Sequence, residues 1–137
     1  MNDIRILIAD DDTIFCKLTS GLLKSEGYLV HTASSIEEAE EVLGKHSFDL
    51  IMQDMCFPAL QDGFGMLEEL HMRLPNVPIL MISGSGHIPD AVNAIKYGAT
   101  DFIEKPIAKE HLLIRLARLG EGIKMQRNMR DLQLSSI

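Results

Sequence analysis

The sequence predicts a doubly wound α/β fold, a parallel sheet carrying helices on both faces, and three observations predict it. Five short apolar runs recur along the 137 residues, and each is followed by a segment whose apolar residues have helical spacing. The middle runs are apolar throughout rather than alternating, as strands buried on both faces of a parallel sheet are. The length suits one domain with a modest core of Leu, Ile, Val and Met, since 46% of residues are apolar and few are aromatic.

The first run, IRILIA at residues 4–9, leads into Thr13–Ser25, where Ile14, Leu18 and Leu22 recur four apart. Asp12 and Thr13 read as the cap of that helix. YLVHT at 28–32 precedes Ile36–Lys45, which carries Ile36, Ala39 and Leu43 on a single face. Ser34 followed by Glu37 fits a capping box at its start. DLIMQ at 49–53 is followed by 63–73 with Met66, Leu67 and Leu70, and PILMI at 78–82 by 87–97 with Val92 and Ile95. DFIE at 101–104 precedes 109–119, where Leu112, Leu113 and Leu116 make the apolar face. Five β-then-α units of this kind give the doubly wound class.

Composition narrows the function. Twenty acidic against 13 basic residues give a formal charge of −7, which disfavours sequence-independent binding to phosphate backbones or anionic lipid. No direct nucleic-acid contact and no membrane attachment are expected of this domain. No apolar stretch approaches the ~20 residues of a transmembrane helix, and MNDIRILIA lacks the basic region and cleavage site of a signal peptide, so a cytoplasmic location is expected. Cys16 and Cys56 are too few and too far apart for a disulfide framework or zinc knuckle and read as reduced thiols. The five histidines are scattered without metal spacing, which favours surface or packing roles, and the eight methionines read as core filler.

Groups just past the carboxyl ends of strands in a parallel open sheet converge at the crevice where the winding reverses. Asp10 and Asp11 end the first strand, Asp54 the third, Ser83 the fourth and Lys105 the fifth. Three carboxylates on one rim need a cation, and oxygen donors without His or Cys favour Mg²⁺, with Mn²⁺ as a substitute, over zinc. Lys105 can pair with an incoming phosphoryl oxygen and Ser83 can donate a hydrogen bond to another. These are the parts of phosphoryl transfer to a carboxylate. Taken singly, each has a plainer reading: Asp54 as the start of a turn, Ser83 and Gly84 as a turn, Lys105 as a solvated lysine beside Pro106, Phe102 as core.

ILIADDD, FDLIMQDMCFP, ILMISG and GATDFIEKP, in this order and spacing, closely resemble the receiver domains of two-component response regulators, over residues 4 to about 119. The resemblance implies the CheY-like (flavodoxin-like) strand order 2-1-3-4-5. It also implies that Asp54 is the phosphoacceptor and that Asp10 and Asp11 are the acidic pair. Mg²⁺ would be bound by the side chains of Asp11 and Asp54 and the backbone carbonyl of Cys56, with Asp10 acting through water. Lys105 would assist transfer and be joined to Pro106 by a cis peptide bond, and Ser83 and Phe102 would be the switch pair. The implied partners are a sensor histidine kinase or phosphotransfer protein, or a small-molecule donor. The implied output is a changed surface around the fourth and fifth units, where a partner or a second copy of the chain could dock.

Four departures from the family pattern stand out. PALQDG is one residue longer than the usual loop after the phosphoacceptor, Gln53 is more polar than usual, Gly84 replaces a common Ala, and Phe102 stands where Tyr is also common. Cys56 and Ser85 lie two residues past Asp54 and Ser83, positions that tune dephosphorylation in the family. A haloacid-dehalogenase-like phosphatase is the rival class, with Asp10 and Asp12 as its D-x-D pair. Beyond Lys105, however, the acids Glu110, Glu121 and Asp131 lie on helical or tail sequence, and no cap domain fits. A flavin-binding module would need a phosphate-cradling loop where DDD stands.

The division expected is a receiver at 1–119 and a helical extension or linker at 120–137. In GEGIKMQRNMRDLQLSSI, Gly120 and Gly122 weaken a helix while Met125, Met129 and Leu132 keep helical spacing, so the tail either prolongs the fifth helix or starts another. Its wording resembles linkers that join receivers to ATPase modules in NtrC-like transcription activators. That implies a domain of a longer protein with an ATPase and DNA-binding output, the alternative being a single-domain regulator.

Overall fold

The computed structural model describes residues 3–57, 60–84 and 88–135, the side chains of 60–63, 88–91 and 135 excepted. Ten elements alternate: β1 (Arg5–Ala9), α1 (Thr13–Ser25), β2 (Leu29–Ala33), α2 (Ile36–Lys45), β3 (Leu50–Asp54), α3 (Leu60–Arg73), β4 (Ile79–Ser83), α4 (Ile88–Lys96), β5 (Asp101–Glu104) and α5 (Lys109–Ser135). The sheet is parallel throughout with order β2-β1-β3-β4-β5. The chain forms two compact units, one of residues 1–106 containing the sheet and one of 107–137.

Within the first unit the order dictates the layers. The winding direction across the sheet reverses after β2, so right-handed crossovers put α1 on one face of the sheet and α2, α3 and α4 on the other. Leu7, Ala33, Ile51, Ile79 and Met81 face Ala39, Leu67, Leu70 and Ala94 in one cluster. Every residue of β3 and β4 is buried, which is why their sequences do not alternate.

Local signals explain most boundaries. Asp12 caps α1, its carboxylate accepting the Phe15 N–H at 3.0 Å. Gly27, at φ 95°, closes the helix, and the Tyr28 N–H reaches back to the Leu23 carbonyl at 3.1 Å. Three expectations need correction. The cap of α2 is Ser35, whose hydroxyl accepts the Glu38 N–H at 3.1 Å, while the Glu38 carboxylate takes the Ser34 N–H at 2.7 Å. SSIEE offers an N-cap serine in either of two registers, and the chain uses the later one. Helix α3 begins three residues before 63, because Gly63 and Gly65 cost only about 1 kcal/mol each in a helix held by Leu67 and Leu70. In α1 the stripe that betrays the helix is turned outward, with Ile14 71% and Leu18 70% exposed. Its buried face is Cys16, Thr19, Ser20 and Leu23, small enough to let the helix close on β1 and β2. The lengthened loop's Pro58 and Ala59, and Ser85 and His87, lie outside the described residues.

In the second unit α5 runs for 27 residues through Gly120 and Gly122 without a break, so the tail prolongs the fifth helix. Strong helix formers on either side offset the two glycines. Leu112, Leu116 and Ile123 are buried, whereas Met125, Met129, Leu132 and Leu134 are exposed. Among the described residues no helix is long and apolar enough to cross a membrane.

Candidate metal centre

The carboxyl ends of β1 and β3 bring Asp10, Asp11 and Asp54 together, with one oxygen from each within 4.8 Å of the others. Asp10 is fully buried, Asp54 is 7% exposed, and Asp11 is exposed. Asp10 continues the β1–β2 ladder through its N–H to the Ala33 carbonyl at 3.0 Å, which fixes its side chain at the rim. Its two oxygens are both engaged: Oδ1 accepts the Asp12 N–H at 2.9 Å and Oδ2 accepts Lys105 Nζ at 2.8 Å. Asp12, whose side chain caps α1, keeps Oδ2 4.0 Å from the same ammonium.

Lys105 is placed by the end of β5, where its N–H donates to the Ser83 carbonyl at 2.7 Å, and the bond to Pro106 is cis. Its ammonium also lies 4.3 Å from the centre of the Phe15 ring. Ser83 is buried at the end of β4, its hydroxyl donating to the Gly84 carbonyl at 3.0 Å. Asp54 starts a tight turn in which its carbonyl accepts the Phe57 N–H at 3.1 Å, and Met55 N–H bonds the Ile82 carbonyl at 2.8 Å. Cys56 is half-buried. Phe102 is half-buried and packs against the cluster beneath α2, α3 and α4. Gln53 is wholly buried between Ala9 and Met81.

The electrostatics follow from this crowding. Burial, then the Asp10 charge, pushes the Asp54 carboxyl up to about 6; Lys105 and the Cys56 N–H pull the other way without cancelling it. Burial works against the Lys105 ammonium, yet its hydrogen bond to Asp10 and the charges of Asp10, Asp54 and Asp12 outweigh that and raise its pKa. The Cys16 thiol is pushed up to about 11 by burial first and by Asp10 and Asp12 next, and Cys56 is raised by burial and Asp54. Neither thiol is a thiolate near neutrality, so neither competes as a soft ligand. Three carboxylates against one ammonium leave a net negative, all-oxygen cluster, the donor chemistry of a hard divalent cation. Mg²⁺ fits the donor set.

Two neighbours of the site are not evident from the sequence. Phe15 lies three residues past the cap, so the first turn of α1 carries it over Lys105, a residue 90 positions away. Cys16 anchors the same turn by donating its thiol proton to the Asp10 carbonyl, with Sγ 3.3 Å from the oxygen. The Asp12-x-x-Phe-Cys spacing is the only local signal for either.

Known proteins share the family and the fold. Residues 6–117 match the family described as the response regulator receiver domain. The nitrogen assimilation regulatory protein NtrX of Azorhizobium caulinodans is 37% identical over 129 residues, 93% of this chain and 28% of that protein. The crystal structure of NtrX from Brucella abortus in complex with ADP superposes with a TM-score of 0.86 at 34% identity, covering 96% of this chain and 29% of the other. The crystal structure of the receiver domain of Brucella abortus NtrX gives 0.78 at 36% identity, covering 85% and 98%. The chain thus spans about 28% of the length of the curated relatives it matches first. With its strand order and its acidic rim of Asp10, Asp11 and Asp54, the chain belongs to the receiver domain family of response regulators.

Proposed function

We propose that Asp54 accepts a phosphoryl group in a Mg²⁺-dependent reaction that the domain itself catalyses. The observation that carries this is the convergence of three carboxylates with Lys105 already bonded to one of them. An Asp54 oxygen attacks phosphorus in line, the P–N bond of a phosphohistidine on a sensor kinase or phosphotransfer protein breaks, and the imidazole leaves and takes up a proton. A small acyl phosphate serves as donor by breaking its P–O bond, with the carboxylate as leaving group. The bound ion would be held by Asp11, Asp54 and the Cys56 carbonyl, with Asp10 through water, and supplies charge neutralisation between two anions. Lys105 orients a phosphoryl oxygen, and the Ser83 hydroxyl leaves Gly84 to bond another. Ser83 vacates space that Phe102 enters by packing alone, having no hydroxyl. Water reverses the modification by attacking phosphorus of the acyl phosphate, and the P–O bond to Asp54 breaks to release the carboxylate and inorganic phosphate.

The phosphatase reading loses its second acid, because the Asp12 side chain is committed to the cap of α1 and Asp10 is bonded to Lys105. We assign residues 1–119 to the receiver and 120–137 to a linker, of which 120–135 continue α5. In the full-length protein, placed in the cytoplasm, the signal passes to an ATPase and DNA-binding output that regulates transcription; relatives named transcriptional regulatory proteins, and the NtrX structures solved with ADP and ATP, support this reading. The receiver itself touches neither nucleic acid nor membrane, and its phosphorylated form pairs as a homodimer through the fourth and fifth units.

The test is intact mass after incubation with acetyl phosphate and Mg²⁺. One acid-labile phosphoryl group is expected, absent without divalent ion and absent in Asp54→Ala. A folded protein that gains none, or an Asp54→Ala protein that still gains one, contradicts the reading.

A further inference from the structure

Toward the amino-terminal end of the sheet, away from the acidic rim, three side chains that the sequence scatters are brought into one cluster. Arg5 Nη1 lies 3.0 Å from His31 Nε2 and 3.1 Å from His46 Nδ1. The two imidazoles stack with centres 4.2 Å apart at 32°, and Phe48 presents an edge to His31 at 5.6 Å. A guanidinium has donors and no acceptor, so both ring nitrogens facing it must carry lone pairs. Both contacts are hydrogen bonds when the rings are neutral, with their protons on His31 Nδ1 and His46 Nε2.

The cluster joins three elements. Arg5 opens β1, His31 sits in the edge strand β2, and His46 is the residue that ends α2, its N–H bonded to the Val42 carbonyl. β2 has β1 as its single strand neighbour, so contacts beside the ladder matter to it. Protonating either ring turns its acceptor into a donor, breaks the bond to Arg5, and sets a new cation against the guanidinium and the other ring.

The charged groups around His31 mostly share one sign. Arg5 on β1 and Lys24 on α1 are cationic, and His46 stacks from the end of α2. The approach to β3 supplies Asp49, whose carboxylate accepts the Arg5 backbone N–H at 2.9 Å. The carbonyl end of α2 favours a cation at His46 and so opposes the others in part. Burial first, then His46, Arg5 and Lys24, lowers the His31 pKa below its usual value.

We propose that Arg5, His31 and His46 form a proton-operated latch, in which neutral imidazoles pin the edge strand and the end of α2 to β1 and acidification releases them. His31 binds a proton less readily in the folded protein than in the unfolded chain. The stabilisation is therefore complete above about pH 6.5 and is lost as pH falls below it.

The experiment follows the 137-residue chain by NMR, with saturating Mg²⁺ to hold the acidic rim constant. Imidazole resonances, assigned from His31→Gln and His46→Gln spectra, are titrated, and amide exchange, corrected for its intrinsic pH dependence, is compared at pH 7.5 and 5.5. We expect the His31 ring to titrate below about pH 6.5. Protection in 29–33 and 42–46 should fall more than in 79–83. Glutamine accepts a hydrogen bond without titrating, so the double glutamine variant should keep its protection at both pH values. A His31 ring that titrates at or above 6.5, a loss shared equally by 79–83, or a loss that persists in the double variant would overturn the proposal.

Discussion

Asp54 is held at a cost to the fold. Its carboxyl is raised to about 6 in the metal-free protein, so ionisation above that pH opposes folding, and the penalty is absent below about pH 4, where the folded and unfolded forms are both protonated. Asp54→Asn should therefore stabilise the metal-free chain by about 2 kcal/mol near pH 8 and change little near pH 4. Urea unfolding at the two pH values reads this, and a destabilised variant near pH 8 would contradict it. Lys105→Met has the opposite sign. It strands the buried Asp10 carboxylate, so the metal-free chain should lose about 3 kcal/mol, and saturating Mg²⁺ should restore part of the loss. Gly98 combines φ +117° with a Cβ position 2.6 Å from the His71 ring, so Gly98→Ala should cost about 2 kcal/mol. Adding His71→Ala should return only the steric part, leaving the backbone cost.

The bounds of α1 and α2 were legible to the residue because a cap signal and a helical spacing mark each. The register of the α2 cap was not, since two serines precede two glutamates. Ser35→Ala should therefore cost about 1 kcal/mol of stability, by chemical unfolding, and more than Ser34→Ala, whose backbone N–H still meets Glu38. Equal losses would contradict the later register. The inward face of α1 was illegible for a different reason: Thr19 and Ser20 are small and polar, and a hydrophobic pattern points instead to Ile14 and Leu18. The run of α5 through two glycines was equally undecidable from propensity, which sets a weak cost against a weak gain.

Across the sheet, the candidate site was readable because it sits at strand ends, and the order of acidic pair, Asp54, Ser83 and Lys105 survives as a linear pattern. Contacts that depend on closure of the fold left no such trace. Phe15 over Lys105 and the meeting of His31 with His46 and Arg5 join residues whose spacing carries no signal. The central claim is that Asp10, Asp11 and Asp54 form one nest for a divalent ion, with Asp54 poised to receive phosphorus. A crystal of the chain grown with Mn²⁺ tests it most directly, because the ion's anomalous scattering marks its position. The expected result is a single peak between the Asp11 and Asp54 carboxylates, beside the Cys56 carbonyl, with Lys105 still bonded to Asp10. A peak elsewhere, or Asp11 and Asp54 turned apart with no ion between them, would contradict it.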